Sequence, residues 1–127
     1  MAVIHVVDDD QLLLNLVSTV LRQDGHRVTA YEDPAEAREA IIAAQPLVDL
    51  VITDAGMEPM SGFKLVKDLR RNQIFCPVIF ISGYHGLAVV ITESFGKRSV
   101  MEKPFTAAEL LSAVRKSLAL PRRSHVG

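Results

Sequence analysis

Short apolar runs alternate along this chain with longer stretches of helical period. "VIHVV" (3–7) is apolar almost throughout, as a strand buried on both faces must be, and "QLLLNLVSTVLRQDGH" (11–26) carries its apolar residues at helical spacing and closes at Gly25. A second, more polar strand is predicted over "RVTAYE" (27–32). Asp33-Pro34 then supplies a cap and a first-turn proline for a helix over "AEAREAIIAAQ". "VDLVIT" (48–53) predicts a third strand. A loop containing Gly56, Pro59 and Gly62 leads to a helix from about Phe63 to Arg71, and "PVIFIS" (77–82) predicts a fourth strand. The helix predicted over 84–96 has poor propensity, because Gly86 interrupts it and Val89-Val90-Ile91-Thr92 is β-branched. "SVME" (99–102) predicts a short fifth strand and "TAAELLSAVRKSLAL" (106–120) a final amphipathic helix; the remainder, "PRRSHVG" (121–127), is expected to be a flexible tail.

Strands that each precede a helix predict a parallel sheet with helices on both faces. The first, third and fourth strands are apolar enough to be central, whereas the second and fifth read as edges. With right-handed crossovers required, the economical fold is one doubly wound α/β domain over residues 1–120, built on a five-stranded parallel sheet.

Composition narrows the function classes. The 127 residues are 49% hydrophobic and 23% charged, enough for a core that needs no disulfide or metal to hold it. A formal net charge of −1 gives no electrostatic footprint for nucleic acid. Cys76 is the single cysteine and, between Phe75 and Pro77-Val78-Ile79, is expected to be a buried thiol. The apolar start is too short and too soon followed by aspartates for a signal peptide, and no apolar stretch is long enough to span a membrane, so a cytoplasmic location with no membrane partner is expected.

The polar residues that end the apolar runs carry the chemistry. Asp8 and Asp9 follow the first strand, Asp54 the third, Ser82 the fourth and Lys103 the fifth. In an open α/β sheet these strand ends share one edge, where ligands bind at the switch in strand order. Each is ordinary singly: Asp54 could be a turn acid, Lys103 a solvated loop lysine, Ser82-Gly83 a turn. Asp10 is read as the cap of the first helix. One helix needs one cap, however, and polar groups on four strand ends converge. Carboxylates gathered in one crevice repel one another unless a cation joins them, and oxygen donors suit Mg2+. With Lys103 as a second positive charge, the isolated carboxylate of Asp54 is the candidate nucleophile for a phosphoryl group, and the Asp8–Asp9 pair the candidate metal holder.

The order "VVDDD", "VITDAGMEPMSG", "VIFISGY", "EKPF" resembles the receiver domain of two-component response regulators, over about residues 2–120. The resemblance implies a flavodoxin-like (βα)5 fold with strand order 2-1-3-4-5. It implies Asp54 as phosphoacceptor, with Mg2+ held by Asp8, Asp9, Asp54 and the backbone carbonyl of Gly56. It also implies Ser82 as the switch hydroxyl, Lys103 as its partner at the phosphoryl group, and a cis bond before Pro104. The implied function is that of a signalling receiver in a phosphorelay. It takes a phosphoryl group from a sensor histidine kinase or histidine phosphotransfer protein and switches a surface for a downstream protein. It is an enzyme only in catalysing its own phosphorylation and dephosphorylation.

The chain departs from the family pattern at several places. Val100 stands where the switch aromatic usually lies, the interval from Ser82 to Lys103 is about one residue short, and the loop reads "MEPM" where "MPxM" is commoner. Receivers commonly meet partners or dimerise through the fourth helix, fifth strand and fifth helix, so a monomer or a weak dimer through that face is expected. Tyr84 either covers the site and slows hydrolysis or is a partly buried loop ring. Three other readings are weaker. A haloacid-dehalogenase-type enzyme wants a second acid where Gly56 stands, and a flavin module wants a Ser/Thr/Gly-rich first loop. A degenerate receiver would lack part of the acid–lysine set.

Overall fold

A computed structural model of the chain describes residues 1–120; the predicted tail at 121–127 lies outside the described residues. The strands are β1 (Val3–Val7), β2 (Arg27–Tyr31), β3 (Leu50–Asp54), β4 (Val78–Ser82) and β5 (Val100–Glu102). The helices are α1 (Gln11–Gln23), α2 (Pro34–Ala44), α3 (Gly62–Arg71), α4 (His85–Phe95) and α5 (Ala107–Leu118). All strand pairs are parallel and the order is β2-β1-β3-β4-β5, so the doubly wound flavodoxin-like architecture is as expected, with β2 and β5 at the edges.

Two apolar layers sandwich the sheet. On one face Val7, Val51, Val78 and Phe80 pack with Ala37 and Ile41 of α2, Leu65, Val66 and Leu69 of α3 and Ile91 of α4. On the other, Ile4, Val6, Leu50, Ile52, Ile79 and Ile81 meet Leu14, Val17 and Leu21 of α1 and Leu110 and Val114 of α5. The alternation along each strand thus sends successive residues into different layers. Cys76 is buried, as its neighbours predicted.

Helix starts follow the caps. Asp10 accepts from the Leu12 and Leu13 amides, Asp33 from Ala35 and Ser61 from Lys64. Thr106 and Glu109 form a reciprocal capping box. Several boundaries move from those predicted. β3 begins at Leu50 rather than 48 and runs through Asp54 itself, whose pairing with Ile81 keeps it in the ladder. β4 begins after Pro77, which has no amide proton to donate. Ser99 belongs to a 3-10 turn (Lys97–Ser99) and not to β5. α4 forms despite its β-branched run, because Ala88 and Ile91 are buried against the sheet and the Thr92 hydroxyl donates to the Ala88 carbonyl. Tertiary burial outweighs local propensity here. Gly96, at φ +93, ends the helix in a conformation that L side chains rarely adopt.

Candidate phosphoacceptor site

The carboxyl ends of β1, β3, β4 and β5 meet at one edge, and the sheet hydrogen bonding extends past them. Asp8 donates its amide to the Tyr31 carbonyl, Ala55 to Ile81 and Lys103 to Ser82. Asp8, Asp54, Ser82 and Lys103 are therefore carried on hydrogen-bonded sheet backbone, and Asp9 follows directly on Asp8.

Asp8, Asp9 and Asp54 each offer a carboxylate oxygen, and these atoms lie within 4.8 Å of one another. Their surroundings differ. Asp8 is buried, Asp54 half-buried and Asp9 exposed. Asp8 Oδ1 accepts from the Asp10 amide at 2.8 Å, while Oδ2 is buried with no hydrogen-bond partner. Burial raises the Asp8 pKa to about 6; the Asp10 amide opposes that rise, Asp54 adds to it, Lys103 opposes it and Asp9 adds to it. A buried acceptor without a donor, among carboxylates that repel it, fits a hard cation with oxygen ligands. The residues present therefore suit Mg2+.

Asp54 is fixed from its own backbone. Its Oδ1 accepts from the Gly56 amide at 3.1 Å, and its carbonyl accepts from the Thr53 hydroxyl at 3.0 Å. Gly62, the first residue of α3, lies against that carbonyl: a Cβ there would overlap the Asp54 oxygen and come 3.1 Å from the carbonyl carbon. Only glycine lets α3 approach the acceptor so closely. Gly62 falls in the predicted loop, and its role there was missed; the one signal in the sequence is a glycine immediately after a good cap, Ser61.

Ser82 is buried, and its hydroxyl is turned into the β4–α4 connection. Oγ donates to the Tyr84 carbonyl at 2.9 Å and accepts from the Tyr84 amide at 3.2 Å. Tyr84 itself is 72% exposed, so the partly buried ring is not what the structure shows. Its ring lies over Gly86, where a Cβ would come 2.9 Å from Cε2. Beside it, His85 Nδ1 lies 2.8 Å from Glu102 Oε1, tying the first turn of α4 to the end of β5. The Lys103–Pro104 peptide is cis, and so are Gln45–Pro46 and Glu58–Pro59, which the sequence did not suggest. Val100 is half-buried in β5 opposite Phe80. Phe80 is held between Phe63 of α3 and Phe95 of α4, at centroid distances of 5.1 and 5.0 Å.

An order of 2-1-3-4-5, with an acid cluster at the β1/β3 switch point and a lysine after β5, defines the receiver class of flavodoxin-like domains. The comparisons agree: the profile of the response regulator receiver domain matches residues 4–115, and the chain belongs to that family. It is 24% identical over 123 residues to the response regulator SaeR of Staphylococcus aureus, a match covering 94% of this chain and 52% of that protein. The chain thus spans about half the length of the curated relatives it matches. A response regulator receiver protein from Sinorhizobium medicae is 31% identical with a TM-score of 0.76, covering 92% of this chain and 94% of that one. The chemotaxis response regulator CheY4 of Vibrio cholerae is 27% identical with a TM-score of 0.77, covering 92% and 98%. Receivers are signalling domains of two-component systems. Among the described residues no helix is long and apolar enough to cross a membrane.

Proposed function

We propose that this chain takes a phosphoryl group from a sensor histidine kinase or histidine phosphotransfer protein onto Asp54, with Mg2+ as cofactor, and so switches a partner-binding surface. The observation that carries this reading is the buried, unpartnered Oδ2 of Asp8 within a group of three carboxylates. Asp8, Asp9 and Asp54, with the Gly56 carbonyl, are the residues that would hold the ion, which supplies positive charge against the phosphoryl oxygens. The Asp54 carboxylate attacks phosphorus; an O–P bond forms as the N–P bond to the donor imidazole breaks, and the imidazole leaves. Lys103 adds a fixed positive charge on the same edge. The Ser82 hydroxyl then leaves Tyr84 for the phosphoryl group. Two neutral hydrogen bonds are given up, a net cost of about 1–3 kcal/mol, and a charge-assisted one offsets it.

The switched surface is α4, β5 and α5, where Val100, Phe105 and Ala108 line a groove of about 890 Å³; the domain acts there as a monomer or a weak dimer. The setting is cytoplasmic, and catalysis is confined to the domain's own phosphorylation and dephosphorylation. Tyr84, exposed beside Ser82, slows hydrolysis by covering the acyl phosphate once Ser82 has moved. Autodephosphorylation of Tyr84→Ala is expected to be faster, and an unchanged rate removes that role. The overall reading is tested by intact mass after incubation with a small phosphodonor. A labile adduct that needs Mg2+ and is lost in Asp54→Asn is expected; no adduct from any donor would make this a constitutive binding module.

A further inference from the structure

A second surface, lined by none of the site's polar residues, lies between α3 and α4. Phe63, Val66 and Phe95 form an apolar groove of about 500 Å³, and Lys67, Arg70 and Arg71 complete its lining. Phe95 is the last residue of α4 and remains 41% exposed although its ring packs on Phe80. Arg70 is aimed by its own contacts: Nη1 donates to the Ile74 carbonyl at 2.8 Å and to the Cys76 carbonyl at 3.1 Å. Lys67 and Arg71 are exposed on the same helix. The acid of α3, Asp68, faces elsewhere, bonded to Lys64 and Arg38, and none of the described residues lining the groove is acidic.

From this charge pattern we infer that the α3–α4 groove docks an acidic amphipathic segment of a partner protein, with a bulky apolar anchor against Phe63 and Phe95 and flanking Asp or Glu opposite Lys67 and Arg71. An apolar slot whose polar lining is wholly cationic favours anionic flanks and disfavours basic ones. The apolar floor separates this surface from a nucleic-acid site, which would need a longer basic track than three side chains on a chain of net charge −1. A helix with anchors at i, i+3 and i+4 is the simplest segment of this kind. Phe80 lies two residues before Ser82 on the same face of β4, so the groove floor adjoins the strand that carries the switch hydroxyl. The docking itself does not depend on phosphorylation.

The test uses the full chain, isotope-labelled and without phosphodonor, titrated with a capped helical peptide bearing Leu anchors and Glu flanks. Controls replace Glu by Lys, or Leu by Ala. Amide shifts confined to α3 and the end of α4 are expected, weakening at high salt. Binding is expected to fall about tenfold or more in Lys67→Glu/Arg71→Glu, whose exposed side chains leave the core intact. Phe95→Ala tests the anchor, and Phe95→Leu controls for the lost packing on Phe80. Equal binding of the Lys peptide, shifts mapping elsewhere, or no shifts at all overturns the inference. So does a concentration-dependent change at this face without peptide, which assigns it to a second copy, or displacement of the peptide by a duplex oligonucleotide.

Discussion

Replacing Asp8 by Asn tests the electrostatics of the site in the absence of metal. Burial pushes the Asp8 carboxyl up to about 6 in the fold, above its ordinary 3.8, by penalising the charged form. At 1.36 kcal/mol per pKa unit, the ionised carboxylate costs the metal-free fold about 2–3 kcal/mol above pH 6. The sign follows from proton counting. Between 3.8 and 6 the folded chain binds more protons than the unfolded one, so this penalty grows as pH rises through that window and is complete above 6. Asn keeps an oxygen for the Asp10 amide and replaces the unpartnered Oδ2 by an uncharged NH2, in a group whose other members are the carboxylates of Asp9 and Asp54. Without metal at neutral pH, Asp8→Asn is therefore expected to be more stable than wild type by about 2–3 kcal/mol. The gain should shrink toward zero as pH falls to the ordinary carboxylate range. Added Mg2+ should stabilise wild type by mass action and the variant far less. Urea unfolding at several pH values, with and without Mg2+, measures all of this. An Asn variant that is less stable than wild type at neutral pH, or whose gain is the same in acid, would refute the reasoning.

Gly62→Ala should force α3 away from the Asp54 carbonyl and destabilise by about 1–3 kcal/mol, the usual cost of overpacking; an unchanged denaturation midpoint would show that the helix yields freely. Ser82→Ala removes both hydrogen bonds to Tyr84, so amide exchange at the start of α4 should quicken in the unphosphorylated protein, and equal protection would contradict the Ser82–Tyr84 geometry. His5 is buried against Tyr31, with Nδ1 3.0 Å from the hydroxyl, and burial lowers its pKa below 6.5. A His kept neutral in the fold and charged in the unfolded chain loses stability as pH falls from about 6.5 toward its lowered value. His5→Phe should remove that part of the acid sensitivity while costing a constant amount for the lost His5–Tyr31 hydrogen bond. Parallel stability–pH curves for the two proteins would contradict the assignment.

Strand ends were the legible part of the site. Asp8, Asp9, Asp54, Ser82 and Lys103 each interrupt or follow an apolar run, and a parallel doubly wound sheet brings all such ends to one edge. The caps Asp10 and Asp33 were legible for a similar reason, since a cap is a local hydrogen bond. What could not be read is long-range or depends on loop shape. Gly62 matters because of an atom eight residues earlier, and the direction of the Ser82 hydroxyl depends on how the chain turns into α4. Phe80, Phe63 and Phe95 belong to different elements whose stacking only the assembled layer creates. The poor propensity of α4 misleads in the opposite direction, because buried Ala88 and Ile91 hold the helix to the sheet.

The most direct measurement of the central claim is the position of the phosphoryl adduct. After phosphodonor and Mg2+, borohydride reduction converts an aspartyl phosphate to homoserine, and peptide mass mapping locates it. Homoserine at residue 54, absent without Mg2+ and absent in Asp8→Asn, is the predicted result. Homoserine at Asp8 or Asp9, or an adduct at Asp54 that forms equally well without the metal, would contradict the account.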